Sequence, residues 1–178
     1  MSESAVKNLT LRRIEATDWS TVHTWASLPE SCEYQPWGPN SEDETRDFVA
    51  AAAIAWGMVP QTRYVYLALA GDRPVGVGEI SVRNAEHRHG EIGYGLHPSV
   101  WRRGYGTALA RALVGIGFGE LGFHRIMATC DPRNLGSAGV LAKSGFVYEG
   151  RMRETLLLRS GWRDSSLYSL LESEWAAR

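Results

Sequence analysis

The chain has 178 residues, 44% of them hydrophobic, which is enough for one sizeable core, so we expect a single domain over residues 1–178. A formal net charge of -1 disfavours a nucleic-acid protein, and the apolar stretches are too short and interrupted to cross a bilayer. The first residues lack the apolar segment of a signal peptide, and Cys32 and Cys130 form no CxxC motif. We therefore expect a cytoplasmic protein whose cysteines are buried and unbridged.

The first half of the chain predicts alternating strands and helices. In order, the pattern predicts a strand at 9–14, a helix at 19–28, a loop at 29–40, a helix at 42–56, and strands at 64–70, 75–82 and 89–96. The helix at 42–56 begins with Ser41 and Glu44, which have the spacing of a capping box. The loop before it has three prolines and two large aromatic residues, Tyr34 and Trp37.

The second half contains the most informative segment, residues 91–113. An apolar strand ends at His97-Pro98, a basic turn follows, and helical spacing then places Leu109, Leu113 and Ile116 on one side. Downstream, the sequence predicts a strand at 125–130, a helix at 137–143, and final strands that begin at 146–149 and end at 165–171, with a turn near 160–161.

A strand, a Gly/Arg turn and the start of a helix together predict a binding site for a phosphorylated ligand. The first amides of a helix lack intrahelical acceptors and carry the positive end of the helix dipole. Gly104 and Gly106 would let a phosphate approach the backbone, and Arg102 and Arg103 add charge beside it. The alternative is a solvated basic turn.

A second glycine motif, GxGxxG at residues 117–122, spells the dinucleotide-binding fingerprint. That fingerprint requires a strand before it and a helix after it, whereas here a helix precedes and a strand follows. The motif is therefore interpreted as a glycine-rich helix end, and a Rossmann dehydrogenase is rejected.

The segment 91–113 resembles the acyl-CoA signature Q/R-x-x-G-x-G/A of the GNAT superfamily of N-acyltransferases. Trp101 stands at the Q/R position, which is typical of the branch that acetylates the N-terminal alanine or serine of ribosomal proteins. Residues 134–146 resemble that branch's N-x-x-S-x-x-V-L-x-K-x-G-F, and Glu149-Gly150 with Arg153 resembles its E-G-x-x-R. The likeness runs from about residue 9 to 172.

The resemblance implies an α+β (α/β) fold: a mixed, mostly antiparallel sheet of about seven strands, flanking helices and a splayed central strand pair. It implies acetyl-CoA as co-substrate, with the strand at 91–96 pairing with the pantetheine amides as an added strand would. The implied CoA-binding residues are Leu96, His97, Arg102, Arg103, Gly104, Tyr105, Gly106, Thr107, Asn134 and Ser137. Asn134 has an alternative role as a helix cap.

Acyl transfer requires a neutral amine and a proton for the leaving thiolate. Glu79 and Glu91 lie within apolar strands, and Glu91 is the preferred general base, although it could equally be paired with Arg83 or Arg88. In many family members, the general acid is a tyrosine seven residues after the asparagine that corresponds to Asn134. This chain has Leu141 at that position. Ser137 remains as a hydroxyl near the sulfur, and Tyr148 is the fallback.

The predicted activity is acetyl transfer from acetyl-CoA to a primary amine by direct attack in a ternary complex. The acceptor is the N-terminal α-amine of a peptide or the amine of a small molecule. The alternative is an enzyme that modifies a metabolite or antibiotic with another acyl donor. Tyr34 and Trp37 are the expected acceptor contacts. A non-catalytic acyl-CoA sensor is the alternative from another class. We expect no bound metal, no nucleic-acid or membrane partner, and a monomer or homodimer.

Overall fold

A computed structural model describes residues 9–158 and 160–177 of the chain. The predicted absence of a signal peptide concerns residues 1–8, which lie outside the described residues. Residue 159, next to the predicted turn, also lies outside them. Seven strands form one sheet in the order β1-β2-β3-β4-β5-β7-β6. Their bounds are β1 Leu9–Arg13, β2 Arg63–Ala70, β3 Arg73–Asn84, β4 His89–Leu96, β5 Arg125–Cys130, β6 Val147–Leu158 and β7 Gly161–Leu171.

Helices cover both faces of this sheet. They are α1 Trp19–Ala26, α2 Pro29–Cys32, α3 Glu42–Ala55, α4 Tyr105–Gly119, α5 Leu135–Ser144 and α6 Glu172–Ala176. On one face, α4 packs Leu109 and Leu113 against β3, where Gly78 has no side chain to keep them away. On the other face, α1 and α3 enclose a second core around Val49, Val65 and Leu67. No helix in the described part of the chain is both long and apolar enough to cross a membrane.

The predicted fold class is confirmed: every neighbouring strand pair is antiparallel except β4 and β5, which are parallel. Three local predictions differ from the structure. Residues 29–32 form the short helix α2, which starts with proline at its first position. Strands β6 and β7 are much longer than expected, because register shifts near Tyr148 and Met152 let an irregular sequence stay paired. The short helix α6 was not predicted.

The parallel pair β4 and β5 is brief. Its pairing joins His89, Gly90 and Glu91 of β4 to Arg125, Ile126 and Met127 of β5, and the pairing found in the described residues stops there. From Ile92 onward the two strands therefore diverge, as the splayed pair was predicted to do. We call the space between their diverging ends the β4–β5 gap.

Candidate active site

The N-terminus of α4 lies just beyond the end of β4. Gly104 is its N-cap residue with φ +88°, a left-handed conformation that favours glycine. Arg102 has φ +58°, and residues 101–104 are all exposed. Trp101 donates its indole N–H to the carbonyl of Leu96 at 3.0 Å, which ties this turn to β4. The start of α4 thus lies beside two exposed arginines, the arrangement that an anion site requires.

Gly106 has a packing reason that sequence reasoning missed. A Cβ at this position would lie 2.9 Å from Cγ2 of Val140 on α5 and 3.5 Å from Leu96. The residue is buried, so the missing side chain lets the first turn of α4 approach α5 and β4. Of the two predicted cradle glycines, Gly104 shapes the turn and Gly106 sets the helix packing.

The β4–β5 gap opens into a cavity of about 600 Å³, here called the gap cavity. Asn134 lines it and caps α5, because its Oδ1 accepts from the backbone N–H of Ser137 at 2.9 Å. The capping alternative is thus what the structure displays. The bond uses only the amide oxygen, so the NH₂ group of Asn134 can still donate to a ligand.

Tyr94 is a functional candidate that sequence reasoning missed. Its hydroxyl lies 3.1 Å from Oγ of Ser137 and 3.4 Å from the Ser137 carbonyl, so it joins β4 to α5 across the gap cavity. Burial raises the pKa of Tyr94 well above its usual range, which keeps the hydroxyl protonated. The alternation of side chains along β4 was the available signal, because it places Tyr94 on the same face of the sheet as Ile92, which packs in the core with α4.

Leu141 is fully buried in the main core and also lines the gap cavity. Leu141 supplies no hydroxyl group. The hydroxyl groups that face each other in the gap cavity are those of Tyr94 on β4 and Ser137 on α5. Tyr148, the fallback proton donor, is 53% exposed on β6 and packs edge-on against Tyr168 at 5.3 Å. It is not among the described residues that line the gap cavity, so its position does not support the fallback role.

Glu91 lies at the fork where β4 and β5 separate. It forms an ion pair with Arg83 of β3, and its side chain is 19% exposed. Arg88 pairs instead with Glu172, at 3.3 Å. The Arg83 pairing that the sequence left open is therefore present, and it holds the Glu91 carboxylate at the wall of the gap cavity.

Glu79, the weaker base candidate, is more heavily engaged. Arg63 donates to both of its oxygens at 2.9 Å, and the Ser81 hydroxyl donates to Oε1 at 3.0 Å. Both oxygens of Glu79 already accept hydrogen bonds and are less available to an incoming amine, so Glu91 is the better candidate.

A second cavity of about 620 Å³, here called the helix-side cavity, lies between the sheet and helices α1 and α3. Trp25, Trp37 and Phe48 give it aromatic walls, and Glu91 belongs to both cavities. The two predicted acceptor contacts are divided: Trp37 lines the helix-side cavity and Tyr34 lines the gap cavity. Three carboxylates among the described residues line this cavity: Glu44 of α3, and Glu79 and Glu91 of the sheet.

The remaining aromatic residues and cysteines have structural roles. Trp25 is 3% exposed, and Trp56 donates its indole N–H to the Val65 carbonyl at 2.9 Å, so both are fixed against the core. Cys32 and Cys130 are buried and unbridged, as predicted. Among the described residues, no group of three His, Cys, Asp or Glu side chains is arranged to bind a metal.

Comparisons with known proteins bear on this geometry. Residues 8–147 match the family model of the acetyltransferase (GNAT) domain. The chain is 30% identical over 171 residues to the uncharacterized N-acetyltransferase YnaD of Bacillus subtilis, covering 95% of this chain and 96% of that protein. It is 42% identical over 52 residues to the [ribosomal protein uS5]-alanine N-acetyltransferase of Escherichia coli, covering 29% of this chain and 27% of that enzyme.

A solved structure shares the fold. The ribosomal L7/L12 α-N-protein acetyltransferase RimL in complex with coenzyme A superimposes with a TM-score of 0.82 at 20% identity, covering 94% of this chain and 96% of that one.

Proposed function

The chain belongs to the GNAT family of acetyltransferases, and from that membership we propose that it moves an acetyl group from acetyl-CoA to a primary amine by direct attack in a ternary complex. The single observation that carries the proposal is the divergence of β4 and β5 beside an exposed helix N-terminus, with a carboxylate at the fork. The resemblance to ribosomal-protein N-acetyltransferases found in the sequence is consistent with the relatives.

The donor site would use backbone groups and two arginines. Amides of Tyr105 and Thr107, with Arg102 and Arg103, would hold a pyrophosphate, and the edge of β4 at Leu96 would pair with an extended amide chain. Coenzyme A bound to the structural neighbour RimL supports this assignment. Acetyl-CoA supplies the activated thioester. Gly106, His97 and Asn134 complete the proposed site by shaping the turn and the gap.

Glu91 is the proposed general base. An α-amine has a pKa near 8 and a lysine amine about 10.4, so much of either is protonated at neutral pH. The Glu91 carboxylate would take a proton from the amine as it attacks, because it lies where the two cavities meet. Arg83 fixes that carboxylate in place.

Ser137 is the proposed proton donor to the leaving thiolate. Its hydroxyl is in contact with the Tyr94 hydroxyl, which stays protonated and can donate a hydrogen bond to the Ser137 oxygen while the serine proton moves to sulfur. The proton that Glu91 takes from the amine passes to solvent, and Ser137 regains one proton from solvent after protonating the thiolate, so the cycle balances. Positioning within the gap supplies a further part of the rate, which can reach several kcal/mol.

Two acceptor classes remain within this proposal: the α-amine of a peptide and the amine of a small metabolite or antibiotic. Membership in an acetyltransferase family favours the enzyme over a non-catalytic acyl-CoA sensor. Tyr34 and Trp37 are the proposed acceptor contacts, because they line the two cavities that meet at Glu91.

The test is turnover. The purified protein is incubated with acetyl-CoA and a panel of peptides and small amines, thiol release is followed, and the acetylated amine is identified by mass spectrometry. We expect thiol release that depends on the amine. Thiol release that is independent of every amine in the panel, or none at all, would contradict the proposed function.

A further inference from the structure

Arg163 is a buried cation in the wall of the gap cavity. It lies near the start of β7 and is only 8% exposed. The cavity wall around it includes Tyr34, Thr155 and Ser165.

The partners of this guanidinium are neutral. Nη1 donates to the Tyr34 carbonyl at 2.9 Å and Nη2 donates to Oγ of Ser165 at 2.8 Å, while Nε has no hydrogen-bond partner among the described residues. Within residues 9–158 and 160–177, the hydrogen bonds of Arg163 go to a carbonyl and a hydroxyl, and none goes to a carboxylate. Arg163 therefore keeps spare N–H donors and a charge without a contacting counter-charge.

The nearby carboxylate that could have neutralised it is already engaged. Asp131 accepts from Nε of Arg133 at 3.0 Å, from its Nη2 at 2.7 Å and from its backbone N–H at 2.8 Å. Although burial opposes ionisation, these bonds hold the pKa of Asp131 below its ordinary value. Asp131 thus acts on Arg163 only at a distance.

A buried guanidinium without a contacting counter-charge is costly unless a further acceptor binds in its site. Its planar donors match carbonyl and carboxylate oxygens. The same cavity contains Glu91, where the attacking amine must arrive. The cavity wall therefore offers the Glu91 carboxylate to the amine of an acceptor and the Arg163 guanidinium to an oxygen of the same acceptor.

We propose that Arg163 determines acceptor specificity by binding a carbonyl or carboxylate oxygen of the acceptor amine. The inference deepens the proposed function and rests on it. Preferred acceptors are then amines that carry such an oxygen close by, of which α-amino amides and α-amino acids are the simplest. Polyamines, which would place further positive charge near Arg163, are poor acceptors.

The experiment compares two acceptors that differ only in the oxygen-bearing group: phenylalaninamide and 2-phenylethylamine. Free phenylalanine and spermidine complete the set, so that a carboxylate is distinguished from an amide carbonyl and a polyamine is included. The variants are Arg163→Met, Arg163→Lys and, as a matched control, Arg151→Met. Arg151 is exposed and pairs with Asp164 at 2.6 Å, so its loss removes a neighbouring arginine outside the cavity.

We expect Arg163→Met to lower kcat/KM for phenylalaninamide by about 10- to 100-fold, the effect of losing a hydrogen bond to a charged group. The value for 2-phenylethylamine and the KM for acetyl-CoA should change little. Arg163→Lys should restore part of the loss, and Arg151→Met should resemble the wild type. Using the variant-to-wild-type ratio for each acceptor cancels the difference in amine pKa between the two compounds.

Four results would overturn the inference. Equal losses for both acceptors, with lower thermal stability, would show that Arg163 only fastens the Tyr34 loop to β7. A higher acetyl-CoA KM would assign the guanidinium to the donor. Wild-type enzyme that acetylates spermidine or 2-phenylethylamine as well as phenylalaninamide would reject the specificity and leave the proposed function intact. No turnover with any amine would reject the proposed function itself.

Discussion

Glu91 and Arg163 occupy opposite electrostatic situations in one cavity. Glu91 has Arg83 as a partner and is held in place, whereas Arg163 contacts only a carbonyl and a hydroxyl. A held carboxylate suits proton transfer, because a general base must stay within reach of the proton that it removes. An unsatisfied guanidinium suits recognition. In the proposed function, Glu91 of β4 would perform the proton transfer and Arg163 of β7 would select the acceptor.

The base role of Glu91 predicts a pH-dependent loss in the Glu91→Gln variant. At neutral pH, kcat should fall by about 100-fold, because the amine is largely protonated and no carboxylate removes its proton. Above the amine pKa the substrate is already neutral, so the deficit should shrink. The measurement is the pH profile of kcat for wild type and variant. The control is Glu86→Gln, because Glu86 is exposed in a turn. A deficit in kcat of the Glu91→Gln variant that is equal at every pH would reject the base role.

Individual site residues were only partly predictable from the sequence. The turn at 101–107, Asn134, Ser137 and Glu91 could be named as candidates because each belongs to a local motif. Tyr94 and Arg163 were missed, since their significance depends on partners 43 and 129 residues away in the chain. Such contacts are set by strand register and loop packing, which local spacing does not encode.

At the scale of elements, α4 carries both the proposed anion site and much of the core, so its glycines have different roles. A Cβ at Gly115 meets no atom within 4 Å. A Cβ at Gly117 would lie 2.6 Å from Cδ1 of Ile126 and 3.4 Å from the Phe123 ring. The glycine motif rejected as a dinucleotide site therefore includes a residue that lets α4 approach β5.

These contacts predict opposite effects for two similar substitutions. Gly115→Ala should raise the free energy of unfolding by about 0.5–1 kcal/mol, because alanine favours the helix. Gly117→Ala should lower it by about 1–3 kcal/mol, because the added methyl overpacks the core. Urea denaturation of both variants measures the difference. Stabilisation by both substitutions would contradict the packing described for α4.

Strands β5, β6 and β7 are joined by a polar cluster around Glu149. Arg125 of β5 donates to both Glu149 oxygens, at 2.9 and 2.5 Å, and the Ser169 hydroxyl of β7 donates at 2.6 Å. The Arg125 and Ser169 hydrogen bonds lower the pKa of Glu149 from 4.5 to about 2. The ionised form is therefore the one that stabilises the fold.

This shift predicts acid-sensitive stability. A carboxylate with a lowered pKa contributes its full stabilisation above about pH 4.5 and loses it as the pH falls toward 2. Glu149→Gln should reduce stability at pH 7 by no more than about 1 kcal/mol, since the pair is partly exposed. Its free energy of unfolding should fall less steeply than that of the wild type between pH 4.5 and 2. Parallel pH profiles would contradict the assignment.

At the scale of the whole molecule, most of the architecture followed from the sequence. Strands β2 to β5 and helices α3 and α4 were predicted because their alternation, caps and helical spacing are strong local signals. The length of β6 was not, because its register shifts interrupt the alternation that identifies a strand. The splayed pair came from the family resemblance, since strand order and divergence are properties of the assembled sheet.

The proposed function depends on one acetyl-CoA site that joins the start of α4 to the β4–β5 gap. Isothermal titration with acetyl-CoA tests this site most directly. Wild type and Gly104→Val are titrated with acetyl-CoA, with NADH and ATP as controls. We predict micromolar binding of acetyl-CoA to the wild type, no comparable binding of the controls, and at least about tenfold weaker binding by the variant, because valine strains a backbone with φ +88°. Gly119→Ala, at the far end of α4, should bind normally. Absence of acetyl-CoA binding by the wild type, or equal affinity in wild type and Gly104→Val, would contradict the account.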